Sequence, residues 1–587
     1  MIRGSTPPPR GGTASAAGAG ISVLQDAAHA FALGGPAKDL GRLEPLKVSG
    51  HGFDWAVRAV TTTTPGAEPL LYMSAPTAAP VHAGDVLLLR FWLCCHDSMT
   101  GEAFTTFVLE SAEGQVAEGT EFRVGAGRDW REVTFPFRAP RSYAAGAARV
   151  TFRLGFDRQT ADIGGIKLYD YGADARLEAL PKTIITYAGR QPDAPWRAAA
   201  LRRIDQHRKA DLTVRVTDAA GAPVRNATVR VMQRRHAFGF GSAVTVEHLL
   251  GDSADAVHYR QIVERYFNAA VFENDMKWPE NYDGPQPGLE AALEWLLQRD
   301  IRVRGHNLIW PSWKWLPKPL RQFESHPAEL RVRTHLRVAQ AVGRHRGKLV
   351  HWDVVNEPYS ERDLMDILGD DVMVEWFQLA KQADPACQMY LNDYGIFDGG
   401  SDSPHRKHFY ETIGWLKERG APIDGVGIQS HFGALPAPPE RILAVLDQFS
   451  PFGLPIESTE LSLNMLDREL QADFMRDYLI ALFSHPNVHG VMLWGFWEGR
   501  HWRPDAALFE KDWTPRPAAR AWIDLVHKEW KTDVTATTDG DGLARVRGFR
   551  GKYDVHASAG RLSASGSVNL EPGGSQATLI VAGGATS

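Results

Sequence analysis

Between about residues 238 and 530 the sequence repeats one pattern eight times: a short apolar run, long enough for a single buried strand, followed by a longer stretch of mixed polarity. The runs are Phe238 to Val244, Asn268 to Phe272, Ile301 to Gly305, Val350 to Val355, Gln388 to Leu391, Gly425 to Ile428, Pro455 to Thr459 and Gly490 to Leu493. Helical stretches such as Leu289 to Arg299, Pro327 to Arg344, Val372 to Ala383 and Leu470 to Phe483 lie between them. A strand covered on both faces reads as continuously apolar rather than alternating. Parallel neighbours need a crossover, which a helix supplies. The pattern predicts repeated β-α units, and eight is the number that closes a TIM barrel.

In such a barrel the residues that follow the strands gather at one end. After the second run come Glu273, Asn274, Lys277 and Trp278; after the third, His306, Asn307 and Trp310; after the fourth, Asn356 and Glu357. The fifth is followed by Asn392, Asp393 and Tyr394, the sixth by Gln429 and His431, the seventh by Glu460, and the eighth by Trp494, Trp497, His501 and Trp502. A single Trp at a strand end is more often core than ligand, and a lone Asn-Glu-Pro is more often the capped start of a helix. Polar and aromatic residues at seven successive strand ends argue for a site instead. Asn, Gln, His and Lys hydrogen-bond hydroxyls, and Trp offers a flat apolar face to a sugar ring. Two carboxylates at strand ends, Glu357 and Glu460, suit a pair in which one protonates a leaving oxygen and the other attacks a carbon.

Outside the barrel the texture differs. A length of 587 residues suggests about three or four domains. Residues 1–20 are small, Pro- and Gly-rich, and read as a disordered lead-in. Across 21–172, strand-like runs such as Asp85 to Leu93, Thr105 to Leu109, Trp130 to Phe137 and Ala148 to Leu154 are separated by Gly, Asp and Pro turns, the signature of a β-sandwich. A linker and helical lead-in over 173–210 precede a β-hairpin pattern at 211–236, and the barrel takes 237–530. The tail, 531–587, alternates apolar and polar residues but is too short for a large core, so it is expected to pack with the hairpin as a composite structural β-domain at the barrel's N-terminal face.

The net charge of -5 and the absence of a Lys/Arg stripe argue against nucleic acid as a partner. Three cysteines, Cys94, Cys95 and Cys387, make neither a disulfide framework nor a CxxC metal site. No HExxH occurs, and His405 and His408 read as an exposed basic helix start, so no metal or other cofactor is expected. The first thirty residues contain no continuous apolar segment suited to a signal-peptide core or a membrane span.

The barrel segment resembles glycoside hydrolase family 10, the retaining endo-β-1,4-xylanases. The resemblance rests on Glu273-Asn274-Asp275-Met276-Lys277-Trp278, Arg304-Gly305-His306-Asn307-Leu308-Ile309-Trp310, Trp352 to Pro358, Gly425 to His431, Thr459-Glu460-Leu461 and Trp494-Gly495-Phe496. It implies that Glu357 is the acid/base, Glu460 the nucleophile and Asn356 the contact to the sugar 2-hydroxyl. His431 would orient the nucleophile, and Glu273, Asn274, Lys277, His306, Trp310, Tyr394, Gln429, Trp494 and Trp502 would contact substrate. A retaining pair stands about 5–5.5 Å apart, and at that range the charge on Glu460 is expected to raise the pKa of Glu357.

The chain departs from the pattern at Pro311 to Pro317, where many bacterial members have His-Ser-Gln, and at Ser462, where the family's usual residue is Asp. The run Trp494 to Gly499 is similar to the plant-type branch. The segment 21–172 is similar to jelly-roll carbohydrate-binding modules, with Phe53, Trp55, Tyr72, Trp92 and Trp130 as candidate stacking residues. The resemblance thus implies xylan or xylo-oligosaccharides as partner, no membrane partner, a monomer, and a secreted or periplasmic location. A xylan endotransglycosylase and a non-catalytic xylan-binding protein are the competing readings.

Overall fold

The eight apolar runs form strands in one parallel sheet: β1 (Gly239–Val244), β2 (Ala269–Phe272), β3 (Arg302–Arg304), β4 (His351–Asn356), β5 (Gln388–Asp393), β6 (Gly425–Ile428), β7 (Ile456–Leu463) and β8 (Val488–Leu493). In this computed structural model, which describes residues 20–583 apart from 26–29, 64, 66–67, 99–101, 157, 280–285, 398–402 and 434–435, the sheet runs β3-β2-β1-β8-β7-β6-β5-β4. Nearly all of the Pro- and Gly-rich lead-in lies outside the described residues. Parallel bridges Gly305 to Trp352 and Ile309 to Val355 join the two end strands and close the barrel. Glycine is required at 305, because a Cβ there would stand 2.2 Å from the Trp352 ring.

Register shifts interrupt the regular pairing at two strands. On β4 the pairing with β5 slips between Asp353 and Val355, and on β7 the pairing with β8 slips between Ser458 and Leu461. Side chains alternate faces along a strand, so an extra residue re-aims every side chain beyond it. The slip on β4 falls just before Glu357, and that on β7 spans Glu460.

Helices from the predicted stretches cover the sheet, among them Leu289–Leu297, Pro327–Arg344, Val372–Ala383 and Arg468–Ser484. A further helix, Pro195–Arg208, ties the segment before the barrel to the helix Arg468–Ser484 and the turn after it. Arg197 pairs with Asp477 at 2.8 Å, and the buried guanidinium of Arg208 donates to the backbone oxygens of Phe483, His485 and Val488.

The turn of the hairpin expected at 211–236 forms, with Thr217 bridged antiparallel to Pro223, but the strands on either side do not go on to pair with each other. Strands Lys209–Thr217 and Thr228–His236 lie in different sheets, each pairing with strands of the tail. Lys209–Thr217 sits between Leu543–Phe549 and Ser575–Ile580, and Thr228–His236 between Asp533–Thr537 and Gly551–Ala559. Splitting the pair lets the apolar faces of both sheets close over one cluster that includes Val214, Val216, Val229, Val231, Tyr553 and Val555. The strand Leu562–Leu570, small and polar in sequence, completes the outer sheet. Contacts such as Lys552 with Asp300 at 2.7 Å and Ala237 N–H to Arg550 O at 2.9 Å place this composite domain at the N-terminal ends of the barrel strands.

The described residues divide into two compact units, one made of the residues up to Ile185 together with Ser403 and Pro404, the other of the rest from Thr186 onward. The first has two antiparallel sheets. One orders Gly41–Lys47, Trp55–Thr61, Gln159–Asp170, Val86–Ser98 and Arg131–Arg138; the other orders Ala32–Gly34, Tyr72–Pro76, Ala148–Arg153, Ala103–Ser111 and Phe122–Ala126. Both contribute to a single apolar cluster, with Leu89, Phe91 and Phe135 from the one and Phe107, Val150 and Phe152 from the other. Residues 173–185, expected as linker, belong to this unit: the Thr134 N–H donates to the Thr183 hydroxyl at 2.8 Å. No helix of the described residues is long and apolar enough to cross a membrane.

Candidate active site

Asn356 is the last residue of β4, and Glu357 follows it with a left-handed backbone, φ 57°, which a non-glycine residue rarely adopts. Its N–H is held by the Asn392 carbonyl at 2.8 Å, so the chain leaves β4 already turned back over β5. Glu460 lies within β7 and is almost wholly buried.

Amide side chains join the two carboxyls. Asn392 Nδ2 donates both to Glu460 Oε1 at 2.8 Å and to Asn356 Oδ1 at 2.8 Å. Gln429 Nε2 donates to Glu357 Oε1 at 2.9 Å and to Asn356 Oδ1 at 3.3 Å. Thr459 Oγ1 donates to Asn392 Oδ1 at 2.6 Å, which fixes the orientation of the Asn392 amide. Asn356 thereby has its oxygen satisfied twice, while its buried NH₂ group has no hydrogen-bond partner among the described residues. A buried donor without a partner costs free energy unless an incoming group accepts from it.

The two carboxyls are pushed in opposite directions. Burial, together with the negative charges of Glu460, Asp393 and Glu361, raises Glu357 to about 8, against a smaller opposing effect of the Gln429 hydrogen bond. The Glu460 charge raises Glu357 as expected, but burial is the leading cause. Burial would also raise Glu460, but His306, the hydrogen bond from His431, and Arg304 outweigh it and hold Glu460 below 4.5.

His306, at the end of β3, has Nδ1 2.7 Å from Asp353 Oδ2 and 3.9 Å from Glu460 Oε1. Arg304, fully buried, pairs with Asp353 and donates to Thr459 O at 2.8 Å. Against burial, the charges of Arg304 and His306 hold Asp353 at about 2. Below Glu460 the barrel thus carries one permanent positive charge with a permanent negative partner. His431 Nε2 lies 3.3 Å from Glu460 Oε2.

The remaining predicted residues surround this centre. Trp310 Nε1 donates to Glu357 Oε2 at 3.1 Å, with Lys277 Nζ 4.9 Å from the Trp310 ring centroid and donating to Asn274 Oδ1 at 2.8 Å. Burial lowers the Lys277 pKa while Glu460, Glu273 and Glu357 oppose the shift. Glu273 meets Arg500 at 3.3 Å. Trp494 packs edge-on against His306, and Trp502, 43 % exposed, against His431. Tyr394 lies edge-on to His405.

His405 is fully buried, not an exposed helix start: Nε2 lies 2.9 Å from Asp393 Oδ1 and its ring stacks on Tyr359 at 4.2 Å. The helix Pro404–Glu418 turns this residue inward, so it pins the segment after Glu357 to the end of β5, while His408 is half-buried beside the same Tyr359. Arg304, Asp353 and Arg500 were not singled out from sequence as site residues, and Asn392 was named there only as a strand-end residue without a role. A charged residue inside an otherwise apolar strand run was the available signal for the first two. Trp315, within the departure at 311–317, stacks on Trp310 at 4.1 Å, filling the far side of that ring.

The barrel's strand ends thus hold a buried pair of carboxyls linked through amides and with opposed ionisation, ringed by Trp, Asn, Gln and Lys, an arrangement suited to one group that gives a proton and one that attacks. The model of glycosyl hydrolase family 10 matches residues 229–525, half of the chain, and the chain belongs to that family. Anti-sigma-I factor RsgI6 of Acetivibrio thermocellus is 33% identical over 367 residues, covering 61% of this chain and 46% of that protein. Endo-1,4-beta-xylanase 1 of Arabidopsis thaliana is 29% identical over 431 residues, 69% of this chain and 45% of that one. Beta-1,4-xylanase of Dictyoglomus thermophilum is 27% identical over 325 residues, 48% of this chain and 86% of that one. The chain spans about half the length of the first two.

Proposed function

We propose that this chain is an endo-β-1,4-xylanase that hydrolyses internal xylan linkages with retention, by double displacement. The observation that carries the reading is the opposed ionisation of Glu357 and Glu460 across one amide network. In the first step protonated Glu357 gives its proton to the leaving glycosidic oxygen while ionised Glu460 attacks the anomeric carbon, forming a glycosyl ester. Esterification removes the Glu460 charge, one of the causes that raise Glu357, so Glu357 becomes more acidic and takes a proton from water in the second step. The unpartnered Asn356 NH₂ is the donor for the 2-hydroxyl of the sugar at the cleavage point. His306, Lys277, Asn274 and Glu273 bind hydroxyls on the glycone side, and Trp310, Trp494 and Trp502 wall the ring.

Within the same reading, the first unit is a jelly-roll module that binds polysaccharide. Half-exposed His51, Phe53, Trp92 and Trp130 pack on one another with centroids 5.3–6.0 Å apart, and Trp55 is 46 % exposed. The composite β-domain is structural, the protein is a monomer, and its substrate places it outside the cytoplasm. Release of reducing ends from xylan, with the anomer of the first-formed product followed by NMR, tests the reading. A β-product with steady hydrolysis is expected. Products longer than the substrate point to transglycosylation, and no bond cleavage to a binding protein.

A further inference from the structure

Pairing of the short strand His431–Phe432 with β7 sets His431 directly across from Ser462. Trp502 Nε1 lies 3.1 Å from Ser462 Oγ, Ser462 Oγ lies 3.2 Å from His431 Nδ1, and His431 Nε2 lies 3.3 Å from Glu460 Oε2. The direction of each contact follows from donor chemistry. An indole N–H only donates, so Ser462 Oγ accepts from Trp502. An ionised carboxylate only accepts, so His431 carries a proton on Nε2. Ser462 is 2 % exposed, and its hydroxyl has no other polar partner among the described residues. If His431 also carried a proton on Nδ1, the Ser462 hydroxyl proton would be buried with nothing to accept it. The satisfied arrangement has Nδ1 as acceptor.

We infer that Ser462 is a positioning residue for the nucleophile: anchored by Trp502, its hydroxyl donates to His431 Nδ1, fixes that imidazole as the neutral Nε2–H tautomer, and so keeps a full positive charge away from Glu460. The inference rests on the reading of Glu460 as nucleophile. The other groups facing this chain leave the logic intact. His501, held at about 3 chiefly by burial, is neutral beside it, and its Nδ1 accepts from the Arg503 N–H at 3.0 Å. Arg503 lies over the Trp502 ring, 4.6 Å from its centroid. Glu460 is faced by His306, Arg304, Lys277 and the Asn392 amide. A carboxylate at 462 would instead accept from both Trp502 and Nδ1–H, turning His431 into an imidazolium 3.3 Å from the nucleophile.

The full chain with ¹⁵N-labelled histidine tests this, alongside Ser462→Asp, Ser462→Thr and Ser462→Ala, with His431→Gln for assignment. In wild type and Ser462→Thr, His431 should show a protonated Nε2 and an unprotonated Nδ1. Ser462→Asp should show both nitrogens protonated, and the acid limb of kcat/KM on an aryl xyloside should move down by about one pH unit, as expected for a cation brought beside a carboxylate. Ser462→Ala should leave a mixture of the two neutral tautomers. A doubly protonated His431 in wild type, or a folded, active Ser462→Asp with an unmoved acid limb, overturns the inference. If wild type cleaves no xyloside, the xylanase reading fails, while the nitrogen spectra still decide the tautomer.

Discussion

Replacing Glu460 with Gln removes the nucleophile's charge at nearly constant volume, and its effect on Glu357 can be worked out in advance. Glu357 is held at about 8, with burial as the leading cause and the Glu460 charge next among the causes that raise it. For a retaining pair about 5–5.5 Å apart, at an effective dielectric of ~20, one unit charge is worth about 3 kcal/mol, or about two pKa units. Solvent at the half-buried side of Glu357 trims that to between about one and two units. In Glu460→Gln, Glu357 should therefore titrate at about 6–7 rather than about 8, still above 4.5 because burial persists. Carbon-13 NMR of labelled glutamate side chains, titrated from pH 4 to 10 with Glu357→Gln as assignment control, reads this directly. The mutant should also lose turnover while retaining oligosaccharide binding. An unchanged Glu357 pKa would refute electrostatic coupling of the pair, and a value at 4.5 would refute burial as the leading cause.

The pH profile of kcat/KM should be a bell, rising as Glu460 ionises below pH 4.5 and falling as Glu357 loses its proton near pH 8; an alkaline limb near pH 5 would contradict the site electrostatics. Glu357→Ala should accumulate glycosyl-enzyme from an aryl glycoside with a good leaving group, and azide should restore turnover as a β-glycosyl azide; an α-azide would exclude double displacement. Residues 186–587 should fold and cleave soluble xylo-oligosaccharides without the first unit, whose loss should weaken action mainly on insoluble polymer; equal loss on short oligosaccharides would give that unit a part in the active site. Arg208→Met should destabilise the second unit by about 3 kcal/mol or more, because three buried carbonyls lose their donor; a denaturant midpoint equal to wild type would refute this.

The barrel was legible because each of its strands is covered on both faces, and that requirement writes a continuous apolar run into the sequence at every turn of the repeat. Glu357 and Glu460 were legible for the same reason: a charged residue closing such a run has to be accounted for. The turn at Asp218 to Pro223 was legible, but the pairing of its flanking strands was not, because local alternation records which residues face a core but not which strand supplies the neighbour. The tail strands, some three hundred residues away, decided that. His405 was misread as exposed because its neighbours Arg406 and Lys407 are basic; only the inward face of its helix and the position of Asp393 bury it.

The sequence by itself determined the fold of the second unit, its family and the identity of the two carboxyls, since these depend on residue type and period along the chain. Tertiary structure alone decided what those carboxyls are. Register slips on β4 and β7 aim them, the Asn392 and Gln429 amides link them through Asn356, and their ionisation goes in opposite directions because burial dominates at Glu357 while His306 and Arg304 outweigh it at Glu460. Those effects depend on distance and solvent exclusion between residues far apart in sequence, quantities that no local pattern records.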